Sequence, residues 1–178
     1  MQTSDIGSPV NDREHIAPFL GSWDLISFEH VLPSGEASAP FGSSPVGLLV
    51  YDAGGRMSAQ VSTGSRTNLS SDESLEVSVE EAAAAWRTYF GYWGSFKVCP
   101  EEGVVVHRVE GSSFPNWIGT DQARHFRFDG ANRLVLESKS VSGRYTLIWQ
   151  RTSPKVANTV HQQDALFSSE RHWNDPAA

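Results

Sequence analysis

The sequence VGLLVYDAGGRMSAQVS, residues 46–62, reads as two strands joined by a tight turn. Apolar and polar side chains alternate along its second half, as they do in a strand with one buried face. Between the halves, Asp52-Ala53-Gly54-Gly55 supplies residue types that tolerate the positive φ angles of a hairpin. The stretch therefore predicts an antiparallel pair, Val46–Asp52 with Arg56–Ser62.

Short alternating runs continue on both sides of this hairpin, and most are separated by brief turns rich in Gly, Pro, Asn or Asp. Short turns favour pairing of each strand with the next, and eight such strands close most simply into an up-and-down barrel that leaves no open edge. We therefore predict an all-β, eight-stranded antiparallel barrel. Its six further strands are Ser22–Leu32, Gly91–Cys99, Val104–Gly111, Asp121–Asp129, Arg133–Lys139 and Arg144–Arg151.

One connection, between the third and fourth predicted strands, is too long for a hairpin. Residues 63–77 are rich in Ser and Thr, and Ser78-Val79-Glu80-Glu81 has the form of a capping box. The alanines at 82–85 continue this start as one short helix. A long connection in a small domain is usually functional, so this one is either a plug for one end of the barrel or a mobile lid.

The chain has 178 residues, of which 39% are hydrophobic and 20% charged, a composition ordinary for one soluble domain. Cys99 is the only cysteine, so no intrachain disulfide is expected, and nothing nearby in the sequence would activate its thiol. We expect a flexible N-terminal arm over residues 1–18, the barrel over 19–152, and a C-terminal tail over 153–178 with room for a short helix.

The formal net charge of −7, with no basic stripe, speaks against nucleic acid and anionic membranes as partners. We find no signal-peptide pattern and no apolar run long enough to span a bilayer, so the expected location is cytoplasmic. The expected partner is a hydrophobic small molecule. A second copy of the chain, forming a homodimer, is a further candidate.

Two motifs at the ends of the predicted barrel resemble the lipocalin pattern. Gly21-Ser22-Trp23 opens the first strand, and Trp149-Gln150-Arg151 closes the last. In lipocalins the arginine covers the tryptophan at the closed end of the barrel, an arrangement in which a guanidinium stacks on an indole and bonds nearby carbonyls.

The middle of the chain resembles the lipocalin-like domain family, a group of small, mostly intracellular calycin-type barrels. The resemblance covers about residues 19–152 and implies an eight-stranded lipocalin-like barrel. It does not imply one activity, because similar barrels include binding proteins and cofactor-free cyclases or isomerases of natural-product pathways. The motifs that carry it are Pro40-Phe41-Gly42, residues 45–52, residues 55–60, Tyr89-Phe90-Gly91, residues 109–112 and residues 115–122.

Signatures of the common cofactor and hydrolase sites are absent from the sequence. It has no G-x-G-x-x-G, no P-loop and no G-x-S-x-G, and its six histidines form no closely spaced pair. We therefore expect neither a cofactor nor a metal, and we look for function inside the barrel.

Alternation along each strand predicts which side chains face the interior, although a one-residue bulge reverses the faces beyond it. The fifth predicted strand leaves two faces open, one with His107 and one with Arg108 and Glu110. The other inward residues are predicted to be Trp23, Leu25, Ser27 and Glu29 on the first strand, Gln122, Arg124, Phe126 and Phe128 on the sixth, and Tyr145, Leu147 and Trp149 on the last.

Four polar residues are candidates for catalysis. Arg124, His107 and Tyr145 could polarise a ligand carbonyl, and Glu29 could act as acid or base if burial raises its pKa. Structural roles stay open for all four: an ion pair or rim position for Glu29 and Arg124, a core histidine, and a packed tyrosine ring. The candidate ligand contacts are Trp117, Asn116, Phe126, Trp149, Leu147, Leu25, Ser27 and Met57, with Trp117 either stacking on a flat ligand or capping the barrel.

The leading hypothesis is a cofactor-independent cyclase or isomerase that folds a hydrophobic polyketide- or terpenoid-type intermediate inside the barrel and excludes water. The alternative is a non-catalytic intracellular carrier or sensor of such a ligand, and a third is a structural domain with a filled barrel. An enzyme should gather its polar side chains at one point deep inside, whereas a carrier can scatter them at the rim.

Overall fold

A computed structural model describes residues 9–73 and 75–153. Within these ranges, eight long strands and one two-residue strand form a single sheet, with two α-helices outside it. The predicted tail helix lies outside the described residues, and the division into arm, barrel and tail stays a prediction. The elements are α1 (Pro9–Ile16), β1 (Gly21–Val31), β2 (Ala37–Ser38), β3 (Val46–Tyr51), β4 (Arg56–Ser62), α2 (Val79–Arg87), β5 (Tyr89–Cys99), β6 (Val104–Ser112), β7 (Asp121–Phe128), β8 (Arg133–Ser140) and β9 (Gly143–Arg151).

The sheet closes on itself as a barrel. From β3 onward each strand pairs antiparallel with its neighbour in sequence, and β9 returns to pair with β1 from Trp23↔Arg151 to Val31↔Arg144. The small strand β2 is not part of this circle, because it pairs only with the end of β1. The predicted eight-stranded up-and-down barrel is confirmed.

The end of the barrel near Trp23 is closed by side chains. Trp23 is fully buried, and its indole N–H donates to the carbonyl of Phe19 at 2.8 Å. The guanidinium carbon of Arg151 lies 4.0 Å from the centre of the Trp23 ring. The Arg151 guanidinium nitrogens donate to the carbonyls of Leu20 and Pro18 at 2.6 and 2.7 Å. The predicted cover of the tryptophan by the arginine is therefore confirmed.

A bulge in β1 overturns part of the predicted interior. Leu25 pairs with Trp149, but Ser27 pairs with the very next residue of β9, so Ile26 is an extra residue in the ladder and is 49% exposed. Beyond the bulge the alternation changes face. The prediction that Ser27 and Glu29 face inward is therefore wrong: both lie on the outer face, and Phe28 turns into the barrel instead.

On β6, the fifth predicted strand, burial shows which of the two open faces points inward, and a second bulge follows. Val105, His107 and Val109 are buried and face inward, whereas Arg108 is exposed. The register then shifts opposite Trp93 and Gly94 of β5, which leaves Glu110 as an extra residue of β6. Glu110 lies outside the barrel, where it pairs with Arg56 at 2.6 Å.

Helix α2 occupies the predicted place, between the third and fourth long strands. Its capping box is confirmed: the Ser78 hydroxyl accepts from the Glu81 N–H, and the Glu81 carboxylate accepts from the Ser78 N–H, each at 3.2 Å. The hydrogen bonds that the Glu81 carboxylate accepts from Ser70 and from Ser78 lower its pKa. No residue of α2 is buried, so the helix does not plug the barrel, and the lid interpretation stays a prediction.

Candidate functional site

The barrel holds a cavity of about 650 Å³ toward the end away from Trp23. This volume falls within the range of roughly 300–1,000 Å³ that is typical of small-molecule sites. Its aliphatic wall consists of Leu49, Ala59, Val61, Leu136 and Leu147, and its aromatic wall of Phe28, Phe41, Phe90, Tyr92, Trp117, Tyr145 and Trp149.

Trp117 lies at the mouth of this cavity because the chain makes a tight turn there. Pro115 begins a single 3-10 turn that ends at Trp117, and Gly119 follows with a φ of 80°, which favours glycine. The ring meets Phe90 edge-on at 5.0 Å and Tyr92 edge-on at 5.4 Å. The turn thus places a large flat ring where a ligand would enter.

Arg124 is the principal charged group of the inner wall. It lies on β7, whose alternating side chains put Gln122 and Arg124 on the cavity side as predicted. Its guanidinium carbon lies 5.3 Å from the centre of the Trp117 ring, and one nitrogen donates to the Ala123 carbonyl at 2.9 Å. In the described part of the chain no carboxylate lies within ion-pair distance of Arg124.

Behind the cavity wall, three side chains form a buried polar row that we name the Tyr51–His107–Tyr92 chain. The Tyr51 hydroxyl lies 2.7 Å from His107 Nε2, and the Tyr92 hydroxyl lies 2.8 Å from His107 Nδ1. His107 is fully buried and Tyr51 is 1% exposed, whereas Tyr92 lines the cavity. The row thus connects the closed end of the core to the cavity.

Burial keeps all three members of this chain neutral near pH 7. Burial and the positive charge of Arg124 lower the pKa of His107 to about 3. Burial raises the pKa of Tyr51 well above its ordinary value and also raises that of Tyr92, although the charge of Arg124 opposes both shifts. His107 therefore cannot serve as a general base of ordinary strength, and both of its ring nitrogens are already hydrogen-bonded.

The structure separates the predicted site residues into five groups. Trp117, Arg124, Tyr145, Leu147 and Trp149 line the cavity. Leu25, Met57 and Phe126 belong to the core around and below it, and His107 lies behind the Tyr92 wall. Asn116 is exposed in the mouth turn, and Ser27 and Glu29 lie on the outer face, so Glu29 has no access to a bound ligand.

Several residues of the site were missed. Tyr51 and Tyr92 sit on strands whose inward faces were not assigned, although the charge of Lys97 marks the outer face of β5 and could have revealed Tyr92. Phe28 was missed because of the bulge. Phe41, which stacks on Phe28 at 5.4 Å, lies in a loop where no periodic signal exists.

Two further polar features bear on the chemistry of the cavity. Its one acidic lining residue within residues 9–73 and 75–153 is Asp121, which is exposed and pairs with Arg108 at 3.1 Å. The buried indole N–H of Trp149 has no hydrogen-bond partner among the described residues. The site therefore offers donors and apolar surface rather than an available base.

Within residues 9–73 and 75–153, no group of His, Cys, Asp or Glu side chains is arranged to hold a metal ion. Neither helix in those ranges is long and apolar enough to cross a membrane.

Comparison with known proteins gives a family and a relative. The model of the lipocalin-like domain family matches residues 20–152. The 4'-hydroxy-3'-methoxypropiophenone carrier protein ppsC of Aspergillus oryzae is 36% identical over 106 residues, which cover 53% of this chain and 96% of that protein. A solved structure of a redesigned beta barrel is 10% identical, with a TM-score of 0.41 over 78% of this chain and 96% of its own. Because the family match spans most of the chain, this protein belongs to the lipocalin-like domain family.

Proposed function

We propose that this protein is a carrier that binds an oxygen-bearing aromatic small molecule, such as an aryl ketone, inside its barrel without converting it. The observation that supports the proposal most is the cavity of about 650 Å³, with aromatic rings on its walls and the Arg124 guanidinium at one side. Rings offer apolar contact and stacking, and the positive charge of Arg124 offers orientation. The relative named for carrying 4'-hydroxy-3'-methoxypropiophenone supports the same ligand class.

The acid and base groups that residues 9–73 and 75–153 place near the cavity favour carriage over conversion. His107 stays neutral with a pKa of about 3, and both its nitrogens are hydrogen-bonded. Glu29 lies on the outer face, and Asp121 is exposed and paired with Arg108. A proton-transfer catalyst needs a group with a pKa near the working pH, within hydrogen-bond reach of the substrate.

A second candidate is the cofactor-independent cyclase or isomerase acting on a polyketide- or terpenoid-type intermediate. One observation favours it: Arg124 and Tyr92 share one wall of the cavity, where two polar groups could polarise a carbonyl. Confinement alone can also accelerate a reaction of a flexible molecule through proximity. The two candidates differ in what happens to a bound ketone.

The test measures binding and conversion with one probe. We expect 4'-hydroxy-3'-methoxypropiophenone to bind the purified protein in equilibrium dialysis and to be recovered unchanged. Leu147→Trp, which fills the cavity, should abolish binding, whereas Ile26→Trp on the exposed face should not. No binding to the wild-type protein, or binding that survives Leu147→Trp, would overturn the proposal.

Hydrogen exchange in D₂O separates a carrier from an enolising enzyme. The protons next to the ketone exchange through an enol, so a carrier should leave their exchange rate at the buffer value. Exchange that is accelerated by the wild-type protein and lost in Arg124→Met would support the isomerase or cyclase instead.

A further inference from the structure

We propose that Tyr92 donates the hydrogen bond that recognises an acceptor oxygen of the ligand, and that His107 and Tyr51 are positioning residues that fix the direction of this donation. The inference rests on the proposed function, since it concerns a molecule bound in the same cavity. It is carried by the geometry of the Tyr51–His107–Tyr92 chain, in which two hydrogen bonds of 2.7 and 2.8 Å join three side chains.

The number of donor hydrogens in this chain determines how many of them are left for a ligand. A neutral imidazole has one N–H and one acceptor nitrogen, and each phenol has one O–H. The chain therefore contains three donor hydrogens, and its two hydrogen bonds use two of them. One O–H, on either Tyr51 or Tyr92, is left to donate elsewhere.

Access to the cavity decides which hydroxyl keeps the spare hydrogen, because both tyrosines are buried but Tyr92 lines the cavity and Tyr51 does not. Tyr51 is 1% exposed, and His107 is the hydrogen-bond partner of its hydroxyl among the described residues. If Tyr51 accepted from His107, its own O–H would be buried without an acceptor, which is unfavourable. Tyr51 must then donate to Nε2, so the Nδ1–H of His107 donates to the oxygen of Tyr92.

This arrangement leaves the O–H of Tyr92 free, and Tyr92 lines the cavity. Its oxygen then accepts from His107, and the positive charge of Arg124, which lines the same cavity, acts on it as well. Arg124 itself has only N–H groups to offer. The corner formed by Tyr92 and Arg124 therefore presents donors, and it matches a carbonyl or another acceptor oxygen better than it matches a methylene group.

The tautomer of His107 tests the positioning part without any ligand. In long-range ¹H–¹⁵N spectra of the wild-type protein, we expect the proton on Nδ1 and an unprotonated Nε2 at neutral pH. The signal is assigned by its loss in His107→Gln. A proton on Nε2 would overturn the proposed direction.

A matched pair of ligands tests the recognition part. The probes are 4'-hydroxy-3'-methoxypropiophenone and 2-methoxy-4-propylphenol, which has a methylene group in place of the carbonyl. We expect the wild-type protein to prefer the ketone by roughly three- to tenfold, the effect of one net hydrogen bond. Tyr92→Phe should reduce this preference to about one.

Tyr51→Phe distinguishes a positioning role from a merely structural one, because only a positioning role predicts a change in the preference for the ketone. Without the Tyr51 donor, the tautomer of His107 is released and Nδ1 can accept from Tyr92, so the preference should fall although Tyr51 does not line the cavity. Tyr89→Phe, on the same strand as Tyr92 but outside the cavity, should keep the wild-type preference.

The outcomes separate the two proposals. If the wild-type protein binds neither probe, the proposed function fails. If it binds both but without preference, or if Tyr92→Phe keeps the preference, the proposed function stands and the assignment of Tyr92 is overturned. If only Tyr51→Phe keeps the preference, the positioning role is overturned.

Discussion

The two ends of the barrel are built on different principles. At the closed end, Phe19 is 1% exposed and meets Tyr51, Phe126 and Phe128 edge-on within 5.5 Å, and the indole N–H of Trp23 has its acceptor. At the open end, equally large rings also touch one another, as Trp117 touches Phe90 at 5.0 Å, but they surround a cavity. At the closed end the rings fill the interior and the indole N–H is hydrogen-bonded within the protein. At the open end, apolar surface and hydrogen-bond donors are accessible to a ligand.

This difference indicates a division of labour. Packed aromatic rings with paired polar groups contribute mainly to stability, while exposed concave apolar surface contributes mainly to binding. The Tyr51–His107–Tyr92 chain lies between them, with Tyr51 in the packed core and Tyr92 on the cavity wall. Changes at the two ends should therefore affect different measurements.

The largest effect is expected at the closed end. Trp23→Ala removes a fully buried indole and the surface that Arg151 covers, so it should lower the free energy of unfolding by about 3–5 kcal/mol. Urea denaturation followed by circular dichroism measures the change. A loss below about 1 kcal/mol would contradict the closed-end assignment.

Acid should lower the stability of the protein through His107, which lies between the two ends of the barrel. The pKa of His107 falls from 6.5 to about 3 on folding. Between these two pH values, His107 binds a proton in the unfolded chain but not in the folded protein. The free energy of unfolding should therefore fall as the pH falls, by about 2 kcal/mol between pH 7 and 5 from this residue.

Denaturant unfolding at each pH measures this dependence. His107→Gln, which cannot titrate, should show a shallower slope between pH 7 and 5 than the wild-type protein. Equal slopes in the two proteins would contradict the buried neutral histidine.

The smallest effect on stability is expected at the open end. Trp117→Ala removes a ring from the mouth, so it should weaken binding of the aryl ketone by about tenfold through lost stacking. Its cost in stability should stay near 1 kcal/mol, far below that of Trp23→Ala. Dialysis and denaturation of both variants compare the ends directly, and equal losses of stability would remove the distinction.

The sequence could predict the hairpins because their signals are local. The turns at 52–55 and the alternation of the strands determine them, and the capping box at Ser78 is also recognised from adjacent residues. Each of these features depends on chain chemistry over a few positions. The cover of Trp23 by Arg151 at the closed end was instead implied by the resemblance to lipocalins, because the two residues lie on strands far apart in the sequence.

The open end could be predicted only in part, because it depends on how distant strands meet. Alternation along β7 predicted Arg124, and the turn that begins at Pro115 indicated Trp117. The extra residue Ile26 leaves no mark in the alternation of β1, yet it moves Glu29 outside and Phe28 inside. The pairing of His107 with two tyrosines from other strands likewise appears only once the barrel is closed.

A crystal structure of the protein with 4'-hydroxy-3'-methoxypropiophenone tests the central claim most directly. We expect the ligand inside the barrel, against the Trp117 ring, with its ketone oxygen within about 2.5–3.2 Å of the Tyr92 hydroxyl. A ligand bound only on the outer surface, or a barrel interior closed by side chains, would contradict the account.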